Sequence, residues 1–576
     1  MTRKSPLPIL LLVYGGAALC LTWPVALDPL GVVAGAERSD LWNSLWSLWY
    51  FQDSVFGGSS PFSTQLLGFP SGGSLAVADP LNAVLGLALV PLLGLAASYN
   101  LLVVGHLVFS GCAAHRLTEA LLPEGEHGVA AWVGGVSYAA APVLVSAVHN
   151  GTSEAVAGGW LALALLMGLR VLRHPGWRRT VLAGFVLAAA LWSSWYLGVC
   201  ALLGLAALAM LGEGREGPTR RVMVLAPVLI LGTLAASPLA WVQHEASTAA
   251  GNLVGIKSAV ELSLVRRMTG AADPLGFFVP GDFRSPDFRV LSRYGEDFIH
   301  CTYMGWLVML GAGLAVVRRG ARAGTGWLWL SAMAGLILAL GPVLVHDGQA
   351  LLLPGDRVVP LPYLALEALP GFSGLSLLFR FAMLPALALA VLAARGFSGL
   401  GRRPGLVAVF VALAVFAELR LVAPVSGLPD TSDTSLAAPL QALAQAGPGA
   451  VMNFPVAGGR RYLYEQTLHG KPITGGLNFP NNAASMRVWE VIIDTDPRDE
   501  QAYVLGVQRA ACREGIGYLV VHIDPMARPD RHDAGVRALH RRLPVLDSSP
   551  ALRVHVLCPP TEGTSPSTRG SGPQSG

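Results

Sequence analysis

The sequence predicts a mainly α-helical, polytopic membrane protein with a small α/β domain near its C-terminal end. Three observations lead there. Only 13% of the 576 residues are charged, against about 25% in an ordinary soluble domain; 53% are hydrophobic and the mean hydropathy is +0.53. The apolar residues gather into runs of about 20, enough to cross a bilayer as helices. After residue 430 or so these runs stop, and short apolar stretches alternate with amphipathic ones. A large soluble enzyme is excluded, because too little charge is left to cover its surface.

Taken in order, spans are expected near 6–27, 100–120, 129–147, 154–172, 179–195, 196–211, 222–241, 302–317, 326–345, 377–395 and 405–423. The first follows Arg3 and Lys4 and could be a cleaved signal peptide ending near Ala34-Gly35-Ala36. Its apolar run is long and that site lies well beyond it, which favours an uncleaved span. The stretch 179–211 is too long for one crossing at about 1.5 Å per residue, so Ser193-Ser194-Trp195-Tyr196 is expected to divide it.

Arg and Lys mark the cytoplasmic side of short loops. Arg3, Lys4 and Arg116, the loops from Arg170 to Arg179 and from Arg215 to Arg221, and those carrying Arg318, Arg319, Arg322, Arg395, Arg402 and Arg403 all fall on one side of these spans. That predicts a cytoplasmic N-terminus, with 28–80, 148–153, 242–301, 346–376 and the C-terminal region outside. Counting the apolar residues 81–97 as a crossing would reverse every later loop. They are therefore expected to be re-entrant or interfacial, broken at Pro91.

Domain boundaries follow. Residues 1–429 form a transmembrane domain with long outside loops at 28–80 and 242–301. Residues 430–560 form an extracytoplasmic α/β domain, and the Ser-, Gly- and Pro-rich 561–576 reads as a disordered tail. Strands are expected at 451–454, 517–522 and 552–557, and helices at 435–446, 499–514 and 532–542, the alternation of an α/β layer. Cys512 and Cys558 could pair there if the region is outside the cytosol. The basic residues form no nucleic-acid footprint, and no HExxH, CxxC, Walker or GxGxxG motif is placed where its chemistry would need it.

Candidate chemistry sits in the outside loops. Trp42, Trp46 and Trp49 have i, i+4, i+7 spacing and so share one helix face; Trp suits a membrane–water boundary, so this helix is expected to lie along the outer surface. Asp40 stands at its start, either as an N-cap accepting backbone N–H bonds, or as a base taking a proton from an acceptor hydroxyl. The two roles are compatible. His149-Asn150-Gly151-Thr152-Ser153-Glu154 is either a hydrated turn, with Glu154 suited to a helix N-terminus, or a place where His149 and Glu154 bind an acceptor. The loop 242–301 is too long to be a simple connection; its Glu296, Asp297 and His300 lie where the next span begins. Arg380 is either a span-end anchor or a bidentate partner for phosphate.

Four segments together resemble the bacterial membrane proteins of the GT-C glycosyltransferase superfamily. They are Ser39-Asp40-Leu41-Trp42-Asn43-Ser44-Leu45-Trp46 after a first span; Phe69-Pro70 with Asp79-Pro80-Leu81-Asn82; Gly374-Leu375-Ser376-Leu377-Leu378-Phe379-Arg380-Phe381; and Tyr464-Glu465-Gln466-Thr467-Leu468-His469-Gly470-Lys471-Pro472-Ile473. The resemblance spans most of residues 1–558. It implies a sugar donor linked to a polyprenyl phosphate or diphosphate, with the role of catalytic base falling on Asp40. Two departures stand out. Many members carry paired acidic residues in the first loop, whereas Asp40 follows Ser39, Glu37 is separated from it by Arg38, and Asp53 comes thirteen residues later. A second Arg often precedes the one matching Arg380, where this chain has Leu375 and Ser376.

The resulting expectation is a multi-pass glycosyltransferase of the bacterial cytoplasmic membrane. Asp40 would be the base, and His149, Glu154, Asp297, His300 and Arg380 would bind substrate. Its partners would be membrane lipids, a polyprenyl-phosphate sugar and a glycan, lipid or protein acceptor, with a divalent metal as an open possibility and no nucleic acid. Tyr462, Tyr464 and Trp489 could stack on sugar rings or simply fill a core. The rival readings are a transporter or lipid flippase, which would need paired ionisable residues inside the spans, and a non-catalytic relative in envelope assembly.

Overall fold

The computed structural model describes residues 5–75, 79–122, 128–212, 217–248, 270–280, 298–318, 324–346, 349–355, 357–369, 372, 375–400, 404–421, 429–454, 460–477, 483–523 and 533–558. The chain forms two compact units. The first comprises Met1–Ser63, Ser74–Ser435 and Gly459–Tyr464; the second comprises Thr64–Gly73, Leu436–Gly458 and Glu465–Gly576.

The first unit is a helical bundle, and each expected span corresponds to helix. Six helical segments are long and apolar enough to cross a membrane: Leu95–Leu121, Gly128–His149, Ser153–Arg173, Pro218–Ala246, Leu378–Phe397 and Pro404–Leu421. Shorter apolar helices run over Leu7–Leu21, Pro80–Leu93, Trp195–Leu211, Trp306–Val317 and Gly326–Ala339. The chain is a multi-pass membrane protein. The division of 179–211 falls at Ser194, extended at φ −158° and ψ 135° between helices Trp177–Ser193 and Trp195–Leu211.

Residues 81–97 do not break at Pro91. The helix Pro80–Leu93 runs through that proline, which lies in its last turn, and stops at Gly94. Gly94 has φ +79°, a left-handed conformation that a side chain would strain, and helix Leu95–Leu121 starts immediately after it.

Burial separates the centre of the bundle from its rim. The apolar window of Leu378–Phe397 is 94% buried inside the protein, against 28% for Pro218–Ala246 and 22% for Pro404–Leu421. Small residues permit the close approach at the centre, as expected where helices meet in lipid. A Cβ on Gly396 would lie 1.8 Å from the Gly311 carbonyl oxygen, and one on Gly311 would lie 2.4 Å from the Phe397 ring. Glu418, close to the end of the last span, is used locally. Its carboxylate accepts from the Tyr303 hydroxyl and from the backbone N–H groups of Trp306 and Leu307. It thereby satisfies the first donors of helix Trp306–Val317, which lack partners within their own helix.

The second unit is an α/β layer. Its four-stranded sheet has the order Val545–Ser548, Leu552–Val556, Ile516–His522, Ala450–Phe454. The last two strands are parallel and the other pairings antiparallel. Helices Glu500–Glu514 and Asp533–Arg542 lie where the apolar periodicity expects them, the expected 435–446 helix is Pro439–Gln445, and Ala483–Asp494 is added. The core gathers Met452, Val488, Tyr503, Val507, Ile516 and Leu519. Cys512 and Cys558 form a disulfide across 46 residues.

Candidate functional site

The site is organised by the turn at 149–154 in the first unit. Its backbone oxygens are aimed at the loop that precedes the Trp-rich helix Leu41–Phe56. The His149 carbonyl accepts from Ala36 N–H at 2.8 Å, the Asn150 carbonyl from Asp40 N–H at 3.1 Å, and the Gly151 carbonyl from Ser44 Oγ at 2.8 Å. Gly151 sits at φ +65°, and a Cβ there would meet Leu41 N and Cα at 2.4 Å; only glycine lets the turn lie so close to the helix start. The Asn150 side chain holds the other flank, donating to the Ile299 carbonyl at 2.9 Å and accepting Ile299 N–H at 2.8 Å. This is a buried junction rather than a hydrated turn: His149, Asn150, Thr152 and Ser153 are all buried.

Asp40 occupies the N-cap position of Leu41–Phe56, but its side chain makes no capping bond. The hydroxyl of Ser39 accepts Leu41 N–H instead, at 3.3 Å. The carboxylate is held sideways. Its Oδ1 accepts from Asn43 Nδ2 at 3.1 Å and pairs with the Arg460 guanidinium. Both contacts fall on Oδ1, so among the described residues Oδ2 has no protein partner. The side chain retains 27% of its exposure. Trp42 and Trp46 are fully buried, against the expectation of an interfacial face. Trp42 packs on Tyr464 at 5.2 Å and donates to the Glu37 carbonyl, while Trp46 stacks on Tyr50 at 4.7 Å. These rings are packing partners for protein, which is where their apolar area is best used.

Glu154 and Arg380, expected separately, form one ion pair at 2.8 Å. Glu154 lies in the first turn of the short helix Ser153–Val156; Arg380 lies in the 3₁₀ turn Leu378–Ala382 that opens the central helix. Arg380 is buried, with its guanidinium 5.5 Å from the centre of the Tyr196 ring. It is therefore not a simple span-end anchor. Tyr196 in turn accepts backbone N–H bonds from Ser376 and Leu377. His300 stacks on Phe379 at 4.3 Å, next to Arg380.

Asp79, not singled out as a site residue, is the third carboxylate here. It is the N-cap of Pro80–Leu93 and is buried. Burial and, secondly, the Glu154 charge push its pKa up to about 7, against hydrogen bonds from Ser153 and Asn82 that lower it. Glu154 also feels the charge of Asp40. Asp40, Asp79, Glu154, Arg380 and Arg460 thus share one electrostatic neighbourhood.

The remaining expectations resolve unevenly. His149 turns its ring toward residue 430, where Nδ1 is 3.4 Å from Asp430 N and 3.9 Å from its carboxylate. Asp297 lies outside the described residues. Asp53 is exposed within Leu41–Phe56, and Glu37 pairs with Arg461. Tyr462, Tyr464 and Trp489 are all buried, as core residues are. Among the described residues no cluster of three or more His, Cys, Asp or Glu side chains is poised to hold a metal, and Asp40 and Glu154 are each committed to a guanidinium. Asn150, Asp79 and Arg460 are not among the residues that the sequence alone predicts to bind or react. The Asn-Gly pair signals a turn and Asp-Pro a helix start, but neither says what the turn or the cap will touch.

No protein-family model and no curated protein matches the sequence. Solved structures do match the fold. The apo oligosaccharyltransferase of Archaeoglobus fulgidus superposes with a TM-score of 0.51 at 12% identity, covering 89% of this chain and 69% of that one. The mycobacterial arabinofuranosyltransferase AftD superposes with a TM-score of 0.54 at 14% identity, covering 97% of this chain and 42% of that one. This chain therefore spans less than half of AftD. The chain shares its fold with these two proteins.

Proposed function

We propose that this chain is an integral membrane glycosyltransferase that moves a sugar from a polyprenyl-phosphate-linked donor to a glycan, lipid or protein acceptor on the outer face of the cytoplasmic membrane. The observation that carries this reading is the state of Asp40. Its carboxylate is fixed by Asn43 and Arg460 through one oxygen and presents the other, which has no protein partner among the described residues, beside the Glu154–Arg380 pair. A base needs that geometry: orientation on one side and an open lone pair on the other.

The step follows from the charges. The acceptor hydroxyl gives its proton to Asp40 Oδ2 as its oxygen attacks the anomeric carbon. The bond from that carbon to the lipid phosphate breaks, and the electron pair leaves on the phosphate oxygen. Arg380 commits Nη1 to Glu154, so the rest of its planar fork serves the departing phosphate. His300 stacks beside it on Phe379, which supports a role for His300 in binding the same substrate. The Cys512–Cys558 disulfide suits an oxidising, extracytoplasmic setting for the second unit.

The test is complementation of a strain lacking the gene, read by mass spectrometry of envelope glycans and glycolipids. Asp40→Asn keeps the side-chain shape and loses the base. Its product should fall by at least about a hundredfold, the usual contribution of a positioned base. Product at the wild-type level would remove Asp40 from the chemistry.

A further inference from the structure

One buried carboxylate has no part in the transfer chemistry above, and its hydrogen bonds are more than a helix cap requires. Asp79 Oδ1 accepts Asn82 N–H at 3.2 Å, which is ordinary capping. Oδ2 accepts two further donors, Asn82 Nδ2 at 2.6 Å and Ser153 Oγ at 2.6 Å. Asn82 Oδ1 meets His106 Nε2 at 2.7 Å. When ionised, the Asp79 carboxylate only accepts, so Asn82 then turns its NH2 toward Asp79 and its oxygen toward His106, and Nε2 carries the hydrogen. The polarity of the whole chain is set by Asp79. Its far end is Ser153, and the next residue is Glu154, whose carboxylate grips Arg380.

We propose that Asp79 is a positioning residue of the transfer site: through Ser153 it fixes the backbone from which Glu154 holds Arg380. The proposal rests on the glycosyltransferase reading for its purpose, but not for its geometry. Ser153 and Glu154 open a helix of only four residues, too short to hold its own direction without outside bonds. The Asp79–Ser153 bond is one such bond, and the hydroxyl of Ser193, which donates to the Glu154 carbonyl at 3.3 Å, is the weaker second. Asn at position 79 has two choices. With its oxygen on Asn82 N–H it keeps the cap, sets its NH2 against the Asn82 NH2 and reverses the Ser153 bond; with its oxygen on Asn82 Nδ2 and Ser153 it loses the cap and keeps that bond. Asp79→Ala removes the Ser153 partner outright.

The experiment uses the full chain in nanodiscs with Asp79→Ala, Ser153→Ala and the double variant. Undecaprenyl phosphate, the sugar-free probe, reports on the phosphate site; phenylglyoxal labelling of Arg380, read by peptide mass spectrometry, reports on the Glu154–Arg380 pair without any ligand. Each single variant should weaken undecaprenyl phosphate binding about tenfold, the scale of one buried hydrogen bond to a charged group, and should speed Arg380 labelling. The double variant should be no worse than Asp79→Ala alone, because Ser153→Ala removes an interaction that Asp79→Ala has already removed. Unchanged labelling and binding in both single variants overturns the proposal, as does full additivity in the double. Labelling that rises in the variants while the wild-type protein fails to bind the probe upholds the positioning role and refutes the glycosyltransferase reading.

Discussion

The two units spend their few charges differently. In the first, charged and amide side chains are buried or nearly so and bridge segments far apart in sequence: Glu154 with Arg380, Asp79 with Ser153, Asn150 with Ile299. In the second, the core is apolar and ion pairs such as Arg487–Glu514 and Arg541–Glu500 lie toward the surface. A buried ion pair is a poor source of net stability, because desolvation offsets much of its attraction. Its survival in the first unit is better explained by what it positions than by what it stabilises. The second unit follows the usual economy of a small soluble domain, with an apolar core and a covalent staple.

The sharpest way to break this contrast is to neutralise the buried pair. Glu154→Gln or Arg380→Met alone leaves one charge uncompensated and should cost about 3–5 kcal/mol, seen as a lower unfolding temperature in detergent together with loss of transfer. Replacing both, Glu154→Leu with Arg380→Met, should restore most of the stability and none of the activity. Activity in the double variant would mean that the pair serves the fold alone.

The staple is the counterpart in the second unit. Replacing Cys512 and Cys558 by Ser releases a loop with a sequence separation of 46 residues, which should cost about 4 kcal/mol by chain entropy. Limited proteolysis should then cut within 436–558 at lower temperature while the helical bundle stays intact. Equal loss in both units would show that they do not unfold separately.

Acid should also act on the second unit. His469 and His555 are buried and neutral, and burial depresses both to about 4. His469 faces Glu465 and Lys471, and its Nδ1 accepts Lys471 N–H; His555 faces His540 and Arg553. A His unfolded at about 6.5 binds a proton that the folded form refuses. Stability is therefore intact above pH 6.5 or so and declines as pH falls toward 4, by up to about 3 kcal/mol for each residue. Chemical unfolding at pH 7 and pH 4.5, with His555→Gln as the comparison, should show a smaller acid loss in the variant.

The difference between the units also decides what could be read in advance. Apolar runs showed where helices lie, because span length and hydropathy are local properties. The i, i+4, i+7 tryptophans revealed a helix after the first span, and Asp40 at its start. What periodicity could not reveal is which partner a face meets, so Trp42 and Trp46 looked interfacial although they lie under protein. The turn at 149–154 was visible as Asn-Gly, but its role depends on Asp40, Asp79, Ile299 and Arg380, brought together by tertiary folding alone. Arg460 stands 420 residues from Asp40 with no local mark of that pairing. In the second unit the missed strand Val545–Ser548 lies at the sheet edge and none of its residues is buried, so it lacks the apolar run that marks its neighbours.

The smallest expected effect is the most discriminating for the comparison. Arg487 and Glu514 make a two-point contact, Nε to Oε1 at 2.8 Å and Nη2 to Oε2 at 2.5 Å, a better geometry than the single contact of Arg380 with Glu154. If geometry decided the worth of a pair, Arg487→Gln would harm the protein more than Arg380→Met. But the Arg487 side chain is 53% exposed, where water and salt screen the attraction and holding a long side chain costs entropy. Arg487→Gln should therefore leave the unfolding temperature of the second unit unchanged within error at physiological salt, with any difference confined to low ionic strength. A loss on the scale of the disulfide's would mean that burial is not what separates the two units' charges.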